Sequence, residues 1–219
     1  THTTVSAQRM ATRKPGRIER AIAHGFHRQI DRIDDGLEMG TLEAMLPDGV
    51  LRDVEALRLY VSLDVDFEAL FGASDGFHAA RAAILDRLLT AWAARAGGGT
   101  AVELGVGLET QRSRLASLPL RWLGVDGADV LALRRALLGD DHRAEDIAGD
   151  ARSLAWLGDV APEAPVYVTA QGLLMYFTPD EVGAFVGGLF AARPDATLSF
   201  DTVSPSRSER SMSGETTPV

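Results

Sequence analysis

The feature that most constrains this chain is a change of texture at Gly97-Gly98-Gly99. Beyond it, short apolar runs alternate with segments of helical periodicity, which is the pattern of a parallel sheet covered on both faces. Residues 100–104 read as a buried strand and 108–115 as a helix. A strand at 121–125 and a helix at 130–138 follow. A weaker strand is placed at 145–148, a short helix at 154–157, and a clear strand at 165–170 (PVYVTA). Thr178-Pro179-Asp180-Glu181 is a helix start, with threonine as N-cap, proline at the first helical position and glutamate as capping-box partner. That helix runs to about 192, and 196–203 (ATLSFDTV) is the fifth strand.

Before the triple glycine, a helix is expected at 77–95, with Ile84, Leu85, Leu88, Leu89 and Trp92 at helical spacing. Residues 1–16 are expected to form a basic, flexible tail and 17–76 a region of short helices. Residues 77–205 are the α/β core, and 206–219 a polar C-terminal segment. Five strands are placed, and 196–203 would stand as a bare edge of the sheet. The expectation is therefore that a further C-terminal segment is omitted, with a partner chain, such as a second copy in a homodimer, as the alternative cover for the edge.

Composition narrows the chemistry. The 219 residues hold no cysteine, which excludes disulfides, thiol nucleophiles and cysteine-ligated metal centres and suits a cytoplasmic protein. No secretory leader and no membrane-spanning run is expected. Net charge is −9, but residues 1–30 carry six basic side chains against one acid, leaving −14 for the rest. Such a body repels phosphate backbones, so no nucleic-acid partner is expected. His24 and His27, and the acids Asp31, Asp34, Asp35 and Glu38, read as solvated helix faces and not as a metal site. Arg112, Arg114, Arg121, Arg134 and Arg135 read as surface ion pairs, and Trp92 and Trp156 as core.

Doubly wound sheets bind ligands at the carboxyl ends of their strands. Gly105-Val106-Gly107 follows the first strand, with glycines that permit a tight turn and a close backbone approach. The third glycine of a dinucleotide fingerprint is replaced by Thr110. Asp126 ends the second strand, where an acid can accept from both hydroxyls of a ribose; a helix N-cap is the other reading. Asp150 and Ala151 follow the third strand, beside an adenine or again as a cap. Gln171 follows the fourth, and Tyr176 comes soon after.

The segments AVELGVGLETQRSRL, RWLGVDGADVLALRRALL, PVYVTAQGLLMYFTPDEV and TLSFDTVSP together resemble the leucine carboxyl methyltransferase family, and within it the bacterial tetracenomycin-type polyketide O-methyltransferases. The resemblance covers about 81–205. It implies a class I (Rossmann-like) methyltransferase fold with an N-terminal helical lid, S-adenosyl-L-methionine as cofactor and a small-molecule methyl acceptor, a carboxylate or a phenol of secondary metabolism. It further implies that Arg81 holds the carboxylate of the cofactor's methionine moiety and that Gly105 and Gly107 form the glycine loop, after Glu103 at the strand end. Asp126 would bind the ribose, Asp150 and Ala151 flank the adenine, and Gln171 stand where the family has glutamate. Gln111 stands where it has arginine. Tyr176 and His78 are the candidates for a general base, needed by a phenol or alcohol but not by a carboxylate. A nicotinamide-dependent oxidoreductase and a degenerate, non-catalytic relative are the rival readings.

Overall fold

The computed structural model describes residues 51–63, 77–139, 141 and 144–202. The basic tail, most of the lid region, the two histidines, the acidic run of residues 31–38 and the segment from 203 onward lie outside the described residues. Helix α1 (Val54–Leu63) precedes α2 (Phe77–Ala96), which leads into β1 (Gly99–Leu104). Then come α3 (Gln111–Arg114), β2 (Leu120–Asp126), α4 (Ala128–Leu138) and β3 (Ala144–Ala148). Two 3-10 turns (Ala151–Ser153 and Ala155–Asp159) lead to β4 (Val166–Ala170). A third (Leu174–Tyr176) precedes α5 (Pro179–Ala192) and β5 (Thr197–Phe200).

All four strand pairings are parallel and the order is β3-β2-β1-β4-β5. This is the Rossmann-like order, reversing direction between β1 and β4. Side chains alternate across the sheet. Val102, Leu104, Leu123, Val125, Val168 and Ala170 pack on one face with Trp156 and with Phe185 and Leu189 of α5. Ala101, Trp122 and Tyr167 face the other way, onto Leu89, Trp92 and Ala93 of α2. Trp92 and Trp156 are core, as expected. Thr178 caps α5 through the complete capping box legible in the sequence.

Two local expectations differ. The helix expected at 108–115 shrinks to one turn beginning at Gln111, because Gly105 and Gly107 take φ of +62° and +44° and the Glu109 amide turns back to the Val106 carbonyl. On α2, Leu85, Leu89 and Trp92 are buried, whereas Ile84 and Leu88 are about half exposed among the described residues. No helix among the described residues is long and apolar enough to cross a membrane, and none of their acids and histidines cluster as a metal site.

Candidate functional site

A cleft of about 260 Å³ opens at the carboxyl ends of β1, β2, β3 and β4. Gly105 lines it from the first strand end and Asp126 and Gly127 from the second. Gly149, Asp150, Ala151 and Arg152 follow the third, and Leu173, Tyr176 and Phe177 the fourth. The fold thus brings together Gly105, Asp126, Asp150, Ala151 and Tyr176 of the expected set. Glu103, Gly107, Gln171, Arg81 and His78 are not in its lining.

The glycine loop and Asp126 are tied to each other. The Gly105 and Val106 amides donate to the Val125 carbonyl at 2.8 and 3.3 Å, which seats the loop on the end of β2. The Gly107 amide donates to Asp126 Oδ2 at 2.9 Å, and the Gly127 amide to Oδ1 at 2.7 Å. These two bonds fix the orientation of the Asp126 carboxylate against the loop. Position 105 favours glycine through its φ of +62°, and a Cβ there would also press on Leu173 Cδ1 at 3.0 Å.

Asp150 is the N-cap of the turn that follows it, accepting the Arg152 amide at 2.9 Å. The Arg152 guanidinium grips the same carboxylate, donates also to Glu181 Oε1 at 2.6 Å, and lies 5.4 Å from the centre of the Phe177 ring. Arg152 therefore links the third and fourth strand ends across the rim. The sequence reading missed it; the signal available was an arginine two residues after a capping aspartate. Capping by Thr178 and pairing with Arg152 hold the Glu181 carboxyl below its ordinary range.

Around the cleft, Gln171 carries two buried side-chain atoms, Oε1 and Nε2, with no partner among the described residues. Arg81 is buried and pairs with Asp201 Oδ2 at 3.0 Å, while Asp201 Oδ1 accepts the Gly172 amide at 2.7 Å. His78 stands in the first turn of α2, partly buried. Glu103 is 2% exposed; its Oε2 accepts Arg112 Nε at 3.0 Å, while its Oε1 is buried with no hydrogen-bond partner among the described residues. Burial pushes its carboxyl above the ordinary range, against the pull of Arg112 and Arg134.

Three of the arginines expected as surface ion pairs are buried instead. Arg112 and Arg134 are each 4% exposed and the Arg114 side chain 6%. Arg114 holds Asp53 and Asp86 at 2.6 and 2.7 Å. For Arg112 and Arg134 the signal was the acids: Glu103 and Asp146 sit inside strands, where a charge without a partner is too costly to bury. Arg121, exposed and paired with Glu145, is the surface pair expected.

No protein-family model matches the chain. The tetracenomycin polyketide synthesis O-methyltransferase TcmP of Streptomyces glaucescens is 26% identical over 173 residues, covering 77% of this chain. The chain spans 64% of that relative's length. Among solved structures it is similar to magnesium protoporphyrin IX methyltransferase from Synechocystis with S-adenosylhomocysteine bound (TM-score 0.46, 15% identity, 75% of this chain and 74% of that one). It is also similar to the glycopeptide N-methyltransferase MtfA with sinefungin (TM-score 0.41, 17% identity, 68% and 61%).

Proposed function

We propose that this chain is the cofactor-binding part of an S-adenosylmethionine-dependent methyltransferase that methylates oxygen on a small molecule, a carboxylate or a phenol of polyketide type. The observation that carries the reading is the cleft, in which a glycine loop and an oriented acid, Asp126, meet at the point where strand order reverses. The 26% identity to TcmP supports oxygen as the acceptor atom. The residues fit the cofactor's chemistry. Asp126 offers acceptors for vicinal ribose hydroxyls, Asp150 and the Ala151 segment border the adenine, and the buried Gln171 amide matches a polar amino-acid moiety.

When bound, the cofactor supplies a methyl group on a positively charged sulfur, already activated for transfer. The protein's work is then alignment and exclusion of water. Leu173 and Phe177 line an apolar wall, and Tyr176, 43% exposed, stands at the mouth where an acceptor arrives. An ionised carboxylate acceptor needs no base. A phenol does, and the Tyr176 hydroxyl on the lining is the group assigned to relay that proton.

Calorimetry with S-adenosylhomocysteine tests the reading. The wild-type protein binds it, and Asp126→Ala weakens binding by about tenfold to a hundredfold, as expected for losing hydrogen bonds to a charged group. Equal affinity in the variant removes Asp126 from the site. A thermal shift with NAD(P) and none with S-adenosylhomocysteine would move the chain to the oxidoreductases. Methyl transfer to any acceptor eliminates the non-catalytic alternative.

A further inference from the structure

We propose that Arg134 is a positioning residue of the cofactor cleft: from α4 it holds the carbonyl side of the glycine loop and keeps the loop's amide side turned to Asp126. The inference rests on the methyltransferase reading and adds a residue that does not line the cleft.

Glu103, Gly124 and Asp146 are successive partners across β1, β2 and β3, so all three point to one face. Two carboxylates flank a glycine, leaving a gap one strand wide. Arg112 fills it, with Nε 3.0 Å from Glu103 Oε2 and Nη2 2.9 Å from Asp146 Oδ1. The glycine leaves room for it, since a Cβ at 124 would stand 2.5 Å from Arg112 Nη2 and the guanidinium would have to shift. Arg134 packs beside this row, its Nε 3.7 Å from the other Asp146 oxygen.

From that seat, Arg134 Nη1 donates to the Gly107 carbonyl at 3.0 Å and the Glu109 carbonyl at 2.7 Å. Gly107 is thus clamped from both sides, its amide by Asp126 and its carbonyl by Arg134, in a backbone conformation with φ of +44°. Burial, and then the like charge of Arg112, pull the Arg134 guanidinium below its ordinary range. A cation kept in so unfavourable a place is held by the carbonyls and carboxylate it serves. Since α4 starts directly after Asp126 and Gly127, one helix carries both the acid's flank and the clamp on the loop facing it.

Arg134→Met and Arg134→Lys test this, with the exposed Arg121→Ala as control. Hydrogen exchange of the ligand-free amides at 105–110 and calorimetric affinity for S-adenosylhomocysteine are read at a temperature where circular dichroism shows every variant folded. In Arg134→Met the loop amides exchange faster and the dissociation constant rises about tenfold or more, the loss of charge-assisted hydrogen bonds. Arg134→Lys falls between, because an ammonium keeps the charge without the planar fork. Arg121→Ala matches wild type in both. Wild-type loop exchange or wild-type affinity in Arg134→Met overturns the proposal. Should that variant not fold, wild-type values of both in Arg134→Lys overturn it. If the wild-type protein does not bind S-adenosylhomocysteine, the cofactor reading fails, while the exchange measurement still decides whether Arg134 holds the loop.

Discussion

Tyr167 shows how one side chain on β4 couples packing to protonation. Its ring packs at a tilt against Trp92, with centroids 5.3 Å apart, and its hydroxyl shares a hydrogen bond with Ser199 of β5. Burial raises the phenol's pKa, outweighing the Ser199 bond and the Arg95 charge that lower it. Between the unfolded value near 10 and the higher folded value, the folded state holds more protons, so stability falls as pH rises through that window. Tyr167→Phe should cost about 1 kcal/mol near neutral pH through the lost hydrogen bond, and should flatten the alkaline decline. Urea unfolding at about pH 8 and about pH 10.5 measures both effects; an alkaline slope unchanged in the variant would assign the decline to another group.

At the scale of the elements, the face of the sheet that meets α2 changes character from one row to the next. One row runs Ala144, Trp122, Ala101, Tyr167 and Thr197; the row two residues on runs Asp146, Gly124, Glu103, Thr169 and Ser199. The first is largely apolar and packs on α2, whereas the second is polar, faces the arginines of α3 and α4, and lies just under the glycine loop. Parallel pairing lines up these residues across five strands, so the polar row is a property of register. Gly124→Ala is the direct probe of it. The added methyl group has no room between Arg112 and Asp146, and overpacking of this kind costs about 1–3 kcal/mol. A midpoint in urea equal to that of the wild type would mean that the row accommodates a Cβ by moving apart.

For the molecule as a whole, Arg114 decides how the helices before the sheet join it. Its guanidinium reaches Asp53, just before α1, Asp86 on α2, and Glu109 at the end of the glycine loop. Gln111 Nε2 adds a 2.8 Å bond to Asp86. Those acids hold the guanidinium well above its ordinary range despite its burial. Arg114→Met would leave Asp53 and Asp86 buried without their cation, a loss of about 3–5 kcal/mol. Hydrogen exchange should show it first in α1 and α2, because β1, β2 and β4 keep their own ladder. Loss confined to the sheet would contradict this assignment.

The alternation of strands and helices, the glycine turn, the strand-end acid at Asp126 and the capping box at Thr178 were all legible in the sequence. Each depends on residues within a few positions of one another, through side-chain periodicity, backbone freedom or a local cap. The helix expected at 108–115 failed on the same local ground, since two glycines at positive φ outweighed the apolar spacing. What the tertiary structure decided was the fate of the charges. Arg112 finds its second carboxylate 34 residues away, and Arg114 finds Asp53 at a distance of 61. An arginine in a sequence looks like surface. Only the pairing order of the strands, which sets which side chains share a row, places Glu103, Gly124 and Asp146 side by side and so makes a buried cation the low-energy choice.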